Sequence, residues 1–157
     1  MKTSPIIIYT DGSCNPEYGM GAWASILFIE GKKIVLSGVE EQTTHQRMEL
    51  QAVINSFEYL AKANLQSESM ELYTDSQYVV GLPGRMLKLK SSGFTTNKNL
   101  PIRNADLVQI LIEYLEIMNV NFVKVKAHLN NGSQNVNREV DKLSRKLVRE
   151  IVEKSNS

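Results

Sequence analysis

The stretch IIIYTDGSC (6–14) runs three isoleucines and a tyrosine into Thr10, Asp11 and Gly12, and MELYTDS (70–76) repeats that ending far along the chain. Runs of β-branched and aromatic residues bounded by turn formers read as strands. One such aspartate is ordinary turn chemistry. Two of them, each closing a strand on Tyr-Thr-Asp before a small residue, ask for a common cause.

The elements around these strands supply one. GAWASILFIE (21–30) and KKIVLSGVE (32–40) are β-prone runs, and Gly31 with its neighbouring lysines suits a tight hairpin between them. Three short-linked strands predict an antiparallel meander. The period then changes: over 45–65, Met48, Val53, Phe57 and Leu60 recur at helical spacing. Thr43 and Gln46 read as a capping box at its start. MELYT (70–74) is a strand, and Asp75 or Ser76 can cap the short helical run QYVV. The segment GLPGRMLKLKSSGFTTNKNLP reads as a basic, irregular or short-helical excursion. Residues 104–118 form an amphipathic helix, 119–128 a strand and 129–135 a loop. The last helix spans 137–154, with Val140, Leu143, Leu147 and Ile151 on one stripe.

The order β-β-β-α-β-α-α-β-α belongs to an α/β fold, a mixed sheet covered by helices. Strands separated by helices pair in parallel through right-handed crossovers. The first strand and MELYT as parallel neighbours would put Asp11 and Asp75 side by side at the sheet edge where α/β folds place their sites.

A chain of 157 residues fits one domain, taken as 1–157 with its core at about 5–152 and a polar tail. The hydrophobic fraction of 42% and net charge of +1 give no global argument for a nucleic-acid partner, so that case must come from local patches. A single cysteine, Cys14, excludes an internal disulfide and suits a reducing compartment. The first apolar run is too short for a signal peptide or membrane span. The expectation is a cytoplasmic protein without a membrane partner.

Each acid also has a structural reading. Asp11 can be a turn residue, and Asp75 an N-cap. Glu49 is more telling, because it shares a helix face with Val53, Phe57 and Leu60 and so enters the buried side. Asp141 has the helix dipole and Arg145 at i+4 to explain it, and His128 can be a solvated strand-end residue or a titratable group on a loop. If the acids converge, two like charges at roughly 4 Å repel by about 1 kcal/mol in water and about 4 kcal/mol at an effective dielectric near 20. Divalent cations relieve this, and two metals can serve phosphodiester hydrolysis. Zinc-ligand spacing and a phosphate-binding glycine loop are both absent from the sequence.

TDGSC (10–14), QRMEL (46–50), YTDSQYV (73–79), VKAH (125–128) and NREVDKLSR (137–145) together resemble the type 1 ribonuclease H family in order and approximate spacing. The resemblance implies a ribonuclease H-like fold with a five-stranded mixed sheet, strands 1–3 antiparallel and strands 4–5 parallel to strand 1. It implies that Asp11, Glu49, Asp75 and Asp141 bind two Mg²⁺ ions, with Mn²⁺ able to substitute, and that His128 assists turnover. The implied reaction is endonucleolytic cleavage of the RNA strand of an RNA–DNA hybrid; a monomer is a separate expectation. Asn15, Gln46 and Gln77 match hybrid-contacting positions, and Thr44 and Asn104 a pocket for a DNA-strand phosphate.

Three departures stand out. CNPEYGMG is shorter and less glycine-rich than in typical bacterial members. His45 replaces the usual asparagine. The basic segment lacks the usual channel tryptophans, leaving Tyr78, Arg85, Lys88 and Lys90 as candidate contacts. Two rival readings are a DNA-cutting nuclease of the same fold and a non-catalytic hybrid-binding module.

Overall fold

A computed structural model describes residues 4–125 and 132–156. Strands β1 (Ile6–Asn15), β2 (Met20–Ile29), β3 (Lys32–Glu40), β4 (Ser69–Thr74) and β5 (Asn119–Lys124) form one sheet in the order β3-β2-β1-β4-β5. β1, β2 and β3 are antiparallel, whereas β1–β4 and β4–β5 are parallel. The expected mixed sheet is therefore observed. Glu30 and Gly31 join β2 to β3 with φ values of 48° and 81°, the two positive values that a tight primed turn requires.

Helices α1 (His45–Lys62), α2 (Gln77–Ser91), α3 (Ala105–Ile117) and α4 (Gly132–Ser155) complete the described chain. The main core lies between one sheet face and α1, α2 and α3, where Ile8, Leu27, Val53, Phe57, Leu60, Leu82 and Leu111 are all fully buried. Full burial of each such side chain is worth about 1.5–3 kcal/mol. On the opposite face Tyr9, Ala24 and Ile26 pack against Val140 of α4. Among the described residues, no helix is long and apolar enough to cross a membrane.

Four boundaries differ from the sequence reading. β1 continues to Asn15 because it stays paired with β2 beyond Asp11, from Gly12↔Trp23 to Asn15↔Met20. The excursion after QYVV is helical up to Ser91 despite Pro83, and non-helical from Ser92 to Pro101. Val79, Leu82 and Leu89 recur at helical spacing and are buried, which offsets the lost backbone bond of an interior proline. α4 starts at Gly132, with Val136 packing beside Tyr9 and Ile26. Finally, Thr44 rather than Thr43 caps α1, its hydroxyl accepting from the Arg47 N–H at 3.2 Å. Thr43 is buried under the β1–β2 turn, its N–H donating to the Gly19 carbonyl.

One close approach sets the position of the site. A Cβ on Gly12 would stand 2.4 Å from both the Glu49 nitrogen and the Met48 carbonyl carbon. The first turn of α1 thus rests directly on β1, and only glycine permits it. Gly12→Ala is expected to destabilise the protein by about 2–3 kcal/mol, because the obstacle is backbone and cannot rotate aside. Thermal melts should show a loss of about 5–10 °C; an unchanged melting temperature would contradict this contact.

Candidate active site

The two Tyr-Thr-Asp endings lie side by side. β1 and β4 pair in parallel with Tyr9 opposite Tyr73, and the two rings stack at 4.9 Å with planes 16° apart. The following threonines, Thr10 and Thr74, are buried, and Thr74 Oγ1 accepts from the Ser76 N–H at 3.1 Å. Asp11 follows within β1, and Asp75 just past the end of β4. Asp11 is buried, while Asp75 is exposed at the mouth.

Two helices bring in the remaining acids. Glu49 begins the stripe that continues through the buried Val53, Phe57 and Leu60, and the Gly12 contact holds it over β1. Asp141 arrives on α4, which Ser144 anchors against β1. The Ser144 hydroxyl is 3.1 Å from Asp11 Oδ2 and 3.3 Å from Ser13 Oγ. The buried line of α4 is Val140–Ser144–Val148, with Leu143 and Leu147 only partly covered, so the predicted all-apolar stripe is corrected by a polar residue at its centre. Sequence reasoning missed Ser144; its only signal was its place at i+4 from Val140 and i+3 from Asp141.

The acids raise one another's proton affinity. Burial, then the charge of Asp75, then the hydrogen bond and charge of Asp141 push Asp11 from 3.8 up to about 8, against an opposing hydrogen bond from Ser144. Glu49 is also raised, chiefly by burial and further by Asp75, while His45 and Ser76 act in the other direction. His45 Nδ1 lies 3.9 Å from Glu49 Oε1. Arg145 Nε sits 3.1 Å from Asp141 Oδ1.

These carboxyl groups are near neighbours without being closed on one point: among the described residues, no three His, Cys, Asp or Glu side chains stand together as a metal-ligating group. Asp75 is exposed and the Asp141 side chain 34% exposed, so both present carboxylate oxygens to solvent. The donor set is entirely oxygen, and the raised Asp11 marks negative charge without compensation. That combination fits a hard divalent cation.

The expected nucleic-acid contacts divide into groups. Asn104 donates to Gln46 Oε1 at 2.8 Å and accepts from Arg47, whose guanidinium makes a two-pronged ion pair with Asp106 at 2.8 and 2.9 Å. This pair holds the Asp106 carboxyl down at about 2. Thr44, Gln46 and Asn104 therefore lie together where α1 meets α3. The Gln46 side chain is engaged there rather than in the predicted capping box. Asn15 Oδ1 is occupied by the Glu17 and Tyr18 N–H groups of its own turn. Gln77 is exposed beside Asp75. Arg85 lies over the Tyr78 ring at 5.9 Å and lines a groove of about 330 Å³ with Lys88. Lys90 is instead tied to Glu116 at 2.8 Å. His128 lies outside the described residues.

An acid-lined edge of a β3-β2-β1-β4-β5 sheet, with α1 and α4 on opposite faces, defines a ribonuclease H-like α/β protein. A model of the RNase H family matches residues 3–149. The chain is 36% identical over 148 residues to a ribonuclease H of Caldicellulosiruptor saccharolyticus, covering 93% of this chain and 97% of that one. It is 39% identical over 147 residues to a ribonuclease H of Bradyrhizobium sp., covering 92% and 91%. Its fold is similar to LC9-RNase H1, a type 1 RNase H with the type 2 active-site motif, at TM-score 0.75, 22% identity and coverage of 94% and 74%. It is also similar to LC11-RNase H1 in complex with RNA/DNA hybrid, at TM-score 0.67, 21% identity and coverage of 94% and 99%. The chain belongs to the ribonuclease H family of enzymes.

Proposed function

We propose that this enzyme hydrolyses the RNA strand of RNA–DNA hybrids endonucleolytically by a two-metal-ion mechanism, leaving 3′-hydroxyl and 5′-phosphate ends. The observation that supports this most is the convergence of Asp11, Glu49, Asp75 and Asp141 from four separate elements on one sheet edge. Those four carboxylates would hold Mg²⁺, with Mn²⁺ as a substitute. Bound there, the ions supply water activation and charge stabilisation of the leaving oxygen.

The chain's own groups do the rest. Asp11, the most buried acid, is oriented by Ser144, and Glu49 is held by the Gly12 contact and by Ser76. Gln77 and His45 stand beside the acids, and with Asn15 and Gln46 they offer groups that can bond 2′-hydroxyls in the wide minor groove of a hybrid. Thr44 and Asn104 are suited to a phosphate of the DNA strand, with Arg85, Lys88 and Tyr78 further along α2. His128 is the candidate for holding or moving a proton during turnover.

End-labelled hybrid, duplex RNA and duplex DNA, each with Mg²⁺, Mn²⁺ or chelator, test the proposal. Internal cutting confined to the RNA of the hybrid, and lost in chelator, is the expected result. Cutting of duplex DNA at a comparable rate would favour a DNA nuclease, and binding without cleavage a hybrid-binding module.

A further inference from the structure

A groove of about 580 Å³ opens beside the carboxylates, between the end of β1, the start of α1 and α4. Ser13, Asn15 and His45 line its near side, Arg145 and Arg149 line the α4 side, and Glu17 is the one acid in its lining. The two arginines are not equivalent. Arg145 is committed to Asp141 at 3.1 Å. Arg149 is exposed and has no ion pair or hydrogen bond among the described residues. Eight residues beyond Asp141, it stands about 12 Å further along the helix at 1.5 Å per residue. That distance takes it out of reach of a phosphate lying between the four acids.

A guanidinium unpaired among the described residues, in a groove whose His45 and Arg145 touch Glu49 and Asp141, suits a phosphodiester, whose oxygens its planar fork can bond in pairs. We propose that Arg149 forms a phosphate subsite for the RNA strand, one that grips a linkage flanking the scissile one. Arg149 is thus a positioning residue: it aligns the strand and does not touch the reacting atoms. The subsite rests on the ribonuclease H reading above, and shares no lining residue with the Arg85–Lys88 groove of α2.

The test compares the unsubstituted enzyme, Arg149→Ala and Arg149→Lys on one hybrid across a KCl series. Arg149→Ala should raise KM about fivefold with kcat nearly unchanged, and lower the slope of log KM against log salt by about 0.7–0.9, the value of one phosphate contact. Arg149→Lys should recover the slope, and the melting temperature should not move. Single neutral methylphosphonate linkages walked along the RNA strand should then reveal one position whose effect on KM disappears in Arg149→Ala. Unchanged KM and slope, or full additivity at every linkage, would overturn the subsite while leaving cleavage by the unsubstituted enzyme intact. Failure of that enzyme to cut any hybrid would overturn the ribonuclease H reading, and the subsite with it.

Discussion

Asp75→Asn is expected to fold as the unsubstituted protein does and to cleave hybrid at least about a thousandfold more slowly, a loss of about 4 kcal/mol in transition-state stabilisation. The substitution is nearly isosteric at an exposed position, so it opens no cavity. Nor does it uncap α2, because the Ser76 hydroxyl, not Asp75, accepts from the Val79 N–H at 3.2 Å. What it removes is a negative oxygen donor shared by the whole cluster, since the charge of Asp75 acts on both Asp11 and Glu49. Single-turnover cleavage and a thermal melt separate the two effects. The expected pair is a collapsed rate with an equal or slightly higher melting temperature. A variant within tenfold of full activity would overturn the proposed place of Asp75 among the metal ligands. Asp106→Asn is the useful contrast: it breaks the paired bonds to Arg47 and should cost stability first.

Part of this site was legible because two of its acids follow the same Tyr-Thr pair at the end of an apolar run. The repeated Tyr-Thr-Asp ending predicted neighbouring strands, and the Tyr9–Tyr73 stack is the physical reason for the repeat: paired rings cover the sheet face just before the acids. Glu49 was legible from its place on an apolar helix stripe. Asp141 was not, because an acid in the first half of a helix with arginine at i+4 has a complete local explanation; only its resemblance to a family pattern raised it. Ser144 was invisible for a related reason. A small polar residue reads as surface until its neighbour across the fold, here Asp11, is known. The length of α2 was underestimated because proline and glycine weigh heavily in local reading, whereas its buried Leu82 and Leu89 are rewarded only once a core exists to receive them.

In chelator, Asp11→Asn should become progressively more stable than the unsubstituted protein as pH rises from about 4 to about 8. Asp11 has its carboxyl raised from 3.8 to about 8, so between those values the native state holds a proton that the unfolded chain has released. Stability from this group is therefore complete below about pH 4 and is lost as pH climbs through the folded value. Asparagine resembles the protonated acid and has nothing to lose. The two proteins should match near pH 4 and differ by about 2–3 kcal/mol at pH 8, or about 5–10 °C. The gap stays below what the whole interval would allow because exposed Asp75 can swing away and water can enter. Mg²⁺ at a hundredfold excess over Kd should close most of that gap, since ligand bound only to the native state adds about 2.7 kcal/mol. The proposed four-acid site would gain that much, and the three-acid variant less. A pH-independent difference, or a Mg²⁺ titration that leaves both melting temperatures flat, would mean that the acids neither crowd one another nor share a cation.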